Sequence, residues 1–212
     1  MTRIYAFRHG ESVCNLETHL IGGQSNWAEL TPRGRRQAFL AGEWIAENLS
    51  DIDFAVSSTA VRTQQTGKIA LQSAGLAHEL ELYDDLLELS QGSFEGMPRN
   101  EVYTPERILE IERDGFDFKL PGAESMRDVG VRKGRCLIEI AEKHPDATGV
   151  AFIHGTGIRS VAGLWLGMTH LETYRTPSDN LSLTTLDIED GKIAVLGIGQ
   201  QVIEDVPAGY VS

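Results

Sequence analysis

The sequence predicts an α/β fold: three layers, α/β/α, around a mostly parallel central sheet, with a small helical cap inserted. Three observations carry this expectation. Short apolar runs at residues 4–7, 54–58 and 149–153 read as strands. Stretches with apolar residues at helical spacing alternate with them, the order that gives a parallel sheet. The run at 149–153 is apolar at nearly every position, as in a strand covered on both faces. At 212 residues, 41% of them hydrophobic, with 22 glycines, the chain fits one domain (residues 1–212) with a full core of its own.

The first strand, Ile4-Tyr5-Ala6-Phe7, delivers Arg8-His9-Gly10-Glu11-Ser12 to its carboxyl end, where open α/β sheets bind ligands. Arg8 offers a planar fork of donors, His9 is a nucleophile when neutral, and Gly10 lets backbone approach a ligand closely. Ser12 and Asn15 add neutral hydrogen bonds. Residues 16–29, containing Ile21-Gly22-Gly23, read as a loop folding back over this stretch, its backbone amides suited to an anion.

Thr31 is an expected helix N-cap with Pro32 at the first helical position, and Ala38, Ala41, Trp44, Ile45 and Leu49 continue an apolar stripe toward Ser50. The second strand, 54–58, leads to a helix capped by Thr59, with Arg62 near its amino end, where guanidinium and helix dipole act on an anion together. Residues 79–82 read as a short strand. Residues 98–121 change in composition and read as a small inserted cap whose apolar positions are Val102, Ile108, Leu109, Ile111, Phe116 and Phe118. A helix spans 124–144, ended by Pro145; the strand at 149–153 delivers His154-Gly155-Thr156-Gly157, and a helix runs from 158 to 166. Residues 181–188 and 192–198 read as a β-hairpin turning at Asp190-Gly191, followed by a tail.

Composition narrows the functional classes. A net charge of −12 argues against nucleic acid and leaves an anionic substrate to local cations acting against the global field. Two cysteines, Cys14 and Cys136, are too few for a disulfide framework or a zinc site. No signal-peptide pattern follows Met1 and no apolar run approaches a membrane span, so the expectation is cytoplasmic. The strand ends together hold Arg8, His9, Arg62 and His154, and two arginines with two imidazoles suit a doubly charged phosphoryl group better than a carboxylate.

This pattern resembles the histidine phosphatase superfamily, the phosphoglycerate-mutase-like proteins, over most of the chain. The family's opening motif appears as Arg8-His9-Gly10-Glu11-Ser12-Val13-Cys14-Asn15, its Leu-Thr-x-x-Gly-x-x-Gln-Ala as Leu30-Thr31-Pro32-Arg33-Gly34-Arg35-Arg36-Gln37-Ala38, and its Ser-Ser with Arg-Thr-x-x-Thr as Ser57-Ser58 and Arg62-Thr63-Gln64-Gln65-Thr66. Leu86-Leu87-Glu88, Gly92, Glu95-Gly96 and His154-Gly155 complete it.

The resemblance implies that His9 is the nucleophile, that Arg8, Arg62 and His154 clamp the phosphoryl group with help from Asn15, and that Glu88 protonates the leaving alkoxide and then activates water. A carboxyl among phosphate anions is expected to keep its proton near neutral pH. Ser12, Gly22 and Thr156 are further candidates for contact with substrate, and Glu11 and Glu95 for orienting loops. The resemblance also implies that neither a cofactor nor a metal is needed. Thr156 stands where many relatives have Gly, Asn or Ala, and residues 90–96 are closer to the phosphatase branch than to the mutases.

The reading is a phosphatase for a small phosphorylated metabolite. Its rivals are a mutase of the same chemistry and a phosphate-binding regulatory protein without turnover. The partner expected is that substrate, with a homodimer compatible with the sequence and neither nucleic acid nor membrane expected.

Overall fold

The structure, a computed structural model, describes residues 1–203 and 206–207. The tail read after the hairpin lies mostly outside them. Six strands form one sheet: β1 Thr2–Arg8, β2 Phe54–Ser58, β3 Leu80–Tyr83, β4 Thr148–Ile153, β5 Leu183–Glu189 and β6 Lys192–Gln200, in the order β3-β2-β4-β1-β5-β6. The first four neighbours run parallel, and β5 and β6 add an antiparallel edge through the expected hairpin. The helices among the described residues are α1 Val13–Leu16, α2 Pro32–Asn48, α3 Val61–Ser73, α4 Arg99–Val102, α5 Pro105–Asp114, α6 Met126–Lys143, α7 Gly155–Leu166 and α8 His170–Arg175. None of them is long and apolar enough to cross a membrane.

Strand alternation sends side chains to two cores, which makes the three layers. Ile4, Ala6, Val56, Ala151 and Ile153 pack with Leu137 and Ile140 of α6 and with Ile158 and Val161 of α7. Phe7, Ala55, Val150 and Phe152 pack on the other face with Ala41 and Ile45 of α2 and Ala70 and Leu71 of α3. Phe7 stacks on Phe152 across the β1–β4 pair, with ring centroids 6.0 Å apart. In that register Arg8 lies opposite Ile153, so His9 and His154 leave the sheet at the same level. β4 also pairs with β2, which brings the end of β2 and the start of α3 alongside.

Local signals fall as expected at α2, where the Thr31 side chain accepts from the Gly34 amide, and at α6, where Ser125 and Asp128 form a capping box. Three readings change. The cap of α3 is Ala60; Thr59 instead donates to Asp84 Oδ1 at 2.6 Å. α7 starts at Gly155, three residues early, because His154 is extended and serves as its N-cap, so Gly155-Thr156-Gly157 are a first helical turn and not a loop. α5 buries none of its residues fully, and Ile108 and Leu109 are 45% and 65% exposed. The cap is held instead by a small core of Ile21, Val102 and Leu120, with Phe94, Tyr103 and Phe118 packed around it. The loop and the cap thus share one core, joined by backbone hydrogen bonds from Ile21 N to Met97 O at 2.9 Å and from Gly96 N to Ile21 O at 2.8 Å.

Candidate active site

The loop after β1 is fixed from every side. His9 N donates to Ile153 O at 2.9 Å, Asn180 Nδ2 donates to His9 O at 2.8 Å, and Gly10 N donates to Thr66 Oγ1 at 3.0 Å. Glu11 N donates to Gln37 Oε1 at 2.9 Å, and the Glu11 carboxylate accepts from Thr31 Oγ1 at 2.7 Å and from Arg33 at 2.6 Å. The second and third sequence motifs therefore act largely by holding the first. Gly10 does so as well: a Cβ there would sit 2.5 Å from Gly34 O. Its missing side chain lets the loop meet the first turn of α2, not a ligand.

His9 Nδ1 lies 2.7 Å from Gly10 O. A carbonyl only accepts, so Nδ1 carries the proton and Nε2 holds the lone pair. That lone pair accepts from Arg62 Nε at 3.2 Å. Arg62 is the hub. Its Nη2 donates to His154 Nδ1 at 3.1 Å and its Nη1 to Ser25 O at 2.9 Å. His154 Nε2 then bears a proton and donates to Ser58 Oγ at 2.8 Å, and Ser58 passes the chain to Thr63 at 2.7 Å. The two imidazole centroids are 5.3 Å apart. Arg8 donates to Ser178 O, while its buried Nε makes no hydrogen bond among the described residues.

Burial holds both imidazoles neutral. It depresses the pKa of His9 well below 6.5, with Arg62 and Arg8 adding to it; it does the same to His154, helped by Arg62 and Lys133. A neutral His9 with a fixed tautomer is a competent nucleophile. Burial lowers both arginines too, yet they remain cations.

Glu88 sits against the amino end of α7. Oε2 accepts from Thr156 N at 2.9 Å, and Oε1 accepts from Gly157 N at 2.8 Å and from Leu89 N at 2.9 Å. Burial alone would raise its pKa, but the charge of Lys133 and the amides of Leu89 and Thr156 outweigh burial and leave the carboxyl below its ordinary value. The expectation of a carboxyl kept protonated near neutral pH concerns Glu88 beside phosphate anions; the protein's own groups act on it in the opposite direction. The amino end of α7, a helix terminus suited to an anion, is occupied by the Glu88 carboxylate.

The same observation relocates Thr156: its amide serves Glu88, not a phosphoryl group. Ser12 is fully buried, and its hydroxyl donates to Asn15 Oδ1 at 3.1 Å, so it orients Asn15 and has no face toward a ligand. Asn15 Oδ1 also accepts from Ser12 N at 2.9 Å. Gly22 faces open space and its carbonyl accepts from Ser25 Oγ at 2.5 Å; the left-handed residue of this loop is Gly23, at φ +53°, where a side chain would meet Glu95. Glu95 accepts from the amides of Gln24 at 3.0 Å and Gln91 at 3.1 Å, the loop-tying role expected of it.

Several residues that matter here carried no signal alone. Ser25 and Ser178 anchor the site through their carbonyls and Asn180 through its side-chain amide on the His9 carbonyl, contacts that no local sequence pattern announces. Lys133, fully buried on the apolar stripe of α6, is not singled out in the sequence. Among the described residues, no group of three or more His, Cys, Asp or Glu side chains is placed to share a metal ion.

Known proteins resemble this chain in sequence and fold. Residues 4–201 match the histidine phosphatase superfamily (branch 1). A probable phosphoglycerate mutase GpmB of Salmonella choleraesuis is 28% identical over 211 residues, 97% of this chain and 94% of that protein. A phosphoserine phosphatase of Entamoeba histolytica, solved with 3-phosphoglyceric acid, superposes with a TM-score of 0.77 at 26% identity, covering 95% of this chain and 98% of that one. A mycobacterial glucosyl-3-phosphoglycerate phosphatase has the same fold, with a TM-score of 0.78 at 22% identity over 94% of this chain and 99% of that one. With the family's motifs assembled at one edge of the sheet and its match running almost end to end, the chain belongs to branch 1 of the histidine phosphatase superfamily.

Proposed function

We propose that this protein hydrolyses a small phosphomonoester through a phosphohistidine on His9. The observation that carries the reading is the fixed His9 tautomer, its Nε2 lone pair directed at Arg62 in a buried cationic pocket. Nε2 attacks phosphorus, the ester P–O bond breaks, and the alkoxide takes a proton from Glu88. Water then gives a proton to Glu88 and attacks phosphorus, the P–N bond breaks, and phosphate leaves.

Glu88 is ionised before substrate binds, so its proton arrives with the substrate. The second ionisation of a phosphate ester lies near a pKa of about 6, and negative charge beside Glu88 opposes its ionisation. Arg8, Arg62 and His154 neutralise the equatorial oxygens, a load that metallophosphatases give to a cation. Asn15 adds a hydrogen bond, and residues 98–121 form the cap that meets the rest of the substrate.

A mutase is the second reading, favoured by the name of the GpmB relatives. Hydrolysis is preferred because a mutase must shield its intermediate from water. Here the cap rests on three buried side chains, and its longest helix buries none. The test is a pulse of radiolabelled phosphoester. Acid-labile label on the wild type but not on His9→Ala, with inorganic phosphate as product, is expected. Isomer exchange without phosphate release would establish the mutase instead, and label on His9→Ala would remove His9 as nucleophile.

A further inference from the structure

Lys133 is fully buried. It lies at mid-helix in α6 on the stripe of Val129, Cys136, Leu137 and Ile140, where an apolar side chain would be expected. Burying an ammonium without partners is costly, so its surroundings show what it serves. Nζ donates to Leu86 O at 2.8 Å, two residues before Glu88. The stem runs directly under Gly157: a Cβ there would lie 2.6 Å from Lys133 Cδ, closer than any real contact. Gly157 is the residue whose amide donates to Glu88 Oε1. One buried cation is therefore built into both supports of the Glu88 carboxylate, the chain that leads to it and the helix terminus that receives it.

We propose that Lys133 is a positioning residue that holds Glu88 as a carboxylate, favouring its role as the base that discharges phosphohistidine over its role as the acid that forms it. This rests on the phosphohistidine reading above. The balance is one proton on one carboxyl. With the Lys133 charge present, Glu88 stays ionised, and so available as the base, down to lower pH; with the charge removed, Glu88 keeps its proton to higher pH.

The charge of Lys133 also bears on the buried imidazoles of His9 and His154, whose pKa values it helps to lower, and four charged groups bear on Lys133 itself. Glu88 faces it from the loop after β3, Arg132 and Glu124 are ion-paired to one another at 2.7 Å, and Arg62 reaches in from α3. Cys136, one turn along, stays a neutral thiol, its pKa pushed up to about 12 by burial. Burial brings Lys133 itself down to about 8, so it carries its charge through neutral pH.

The experiment is rapid-quench kinetics from pH 4.5 to 8 on the wild type, Lys133→Met and Lys133→Gln, with p-nitrophenyl phosphate and an alkyl phosphate. Removing this opposite charge should raise the pH at which dephosphorylation is half-maximal by about one unit, so that at pH values below both midpoints the step slows by up to roughly tenfold. Phosphorylation by the alkyl ester near pH 7, which needs the acid, should be retained or accelerated relative to p-nitrophenyl phosphate. A displaced midpoint in either variant supports the assignment. Unmoved midpoints, a uniform loss in both steps, or failure of both variants to fold would make Lys133 an architectural residue and overturn it. Absence of acid-labile phosphate on the wild type would overturn the phosphohistidine reading and this inference with it, whereas phosphohistidine with unmoved midpoints would overturn this inference alone.

Discussion

The floor of the site and the segment read as its cap, residues 98–121, are built on opposite principles. On the floor, His9, Arg62 and His154 are 4%, 3% and 0% exposed, and each is held by at least two partners. In the cap, α5 buries no side chain, and its charges pair locally: Arg113 with Asp114 at 2.6 Å, and Lys119 with Asp128 of α6 at 3.0 Å. The floor can tolerate little change because a displaced group leaves another buried polar atom without a partner. The cap can change without such a penalty. On the proposed function, this contrast puts the chemistry at the sheet edge and leaves choice of substrate to the segment that the core constrains least.

The largest effect should follow from breaking the hub. Arg62→Ala removes the donor to His9, the donor to His154 and the tie to the Ser25 carbonyl at once. The loss in kcat/KM should be on the order of a thousandfold, the upper range for one donor to a developing charge. A loss below about tenfold would mean that the phosphoryl group is not bound where the floor places it.

Arg62 also shows what could be read from residues alone. The strands, their order of function and the five motifs were legible because each is a run of side chains with its own spacing: apolar period for β1, β2 and β4, and Arg-His or His-Gly at their ends. The partners of those side chains were less so. That Arg62 meets Ser25 through a carbonyl, or that Asn180 holds His9, depends on loop conformation, which carries no side-chain period. Glu88 was placed by its motif, but its bond to the α7 amides required knowing that α7 begins at Gly155, and the Gly155-Thr156-Gly157 run argued for a loop. Lys133 was hidden because a lysine on an apolar stripe is ordinarily a solvated stem at a helix edge. The exposed face of α5 misled for the converse reason: Ile108 and Leu109 have core composition but stay outside the small core of their segment.

A second contrast between floor and cap is their response to acid. His9 and His154 have folded pKa values well below 6.5, so below that value the unfolded chain binds protons that the folded chain refuses. Stability from these two groups is present above pH 6.5 and is lost as pH falls below it, each contributing a slope of about 1.4 kcal/mol per pH unit until its folded pKa is reached. Urea unfolding between pH 5 and 7 should show this slope. His9→Gln should remove roughly half of the histidine contribution, whereas a change at the exposed Glu106 of α5 should leave it alone. Equal slopes in wild type and His9→Gln would mean that His9 is charged in the folded protein.

The smallest effect is the one that tests whether the cap selects substrate. Arg107 and Arg113 lie on the same helix and carry the same charge, but they face different surroundings. Arg113 is bonded to its neighbour Asp114 in solvent. Arg107 turns inward, donating to Val102 O at 3.0 Å, with its guanidinium 5.8 Å from the centre of the Phe94 ring. Phe94 lies on the segment that runs on from Glu88, so we propose Arg107, and not Arg113, as the cation of this helix that meets substrate. Arg107→Ala should raise KM for the preferred phosphoester by up to about tenfold with kcat within about twofold, the pattern of an interaction made equally with substrate and transition state. Arg113→Ala should change neither, since an exposed pair between adjacent residues holds nothing in place. If both variants matched the wild type across a panel of phosphoesters, selection would have to reside in the loop at 22–27. If Arg107→Ala lowered kcat as much as kcat/KM, the cap would be part of the reaction and the division between floor and cap would fail.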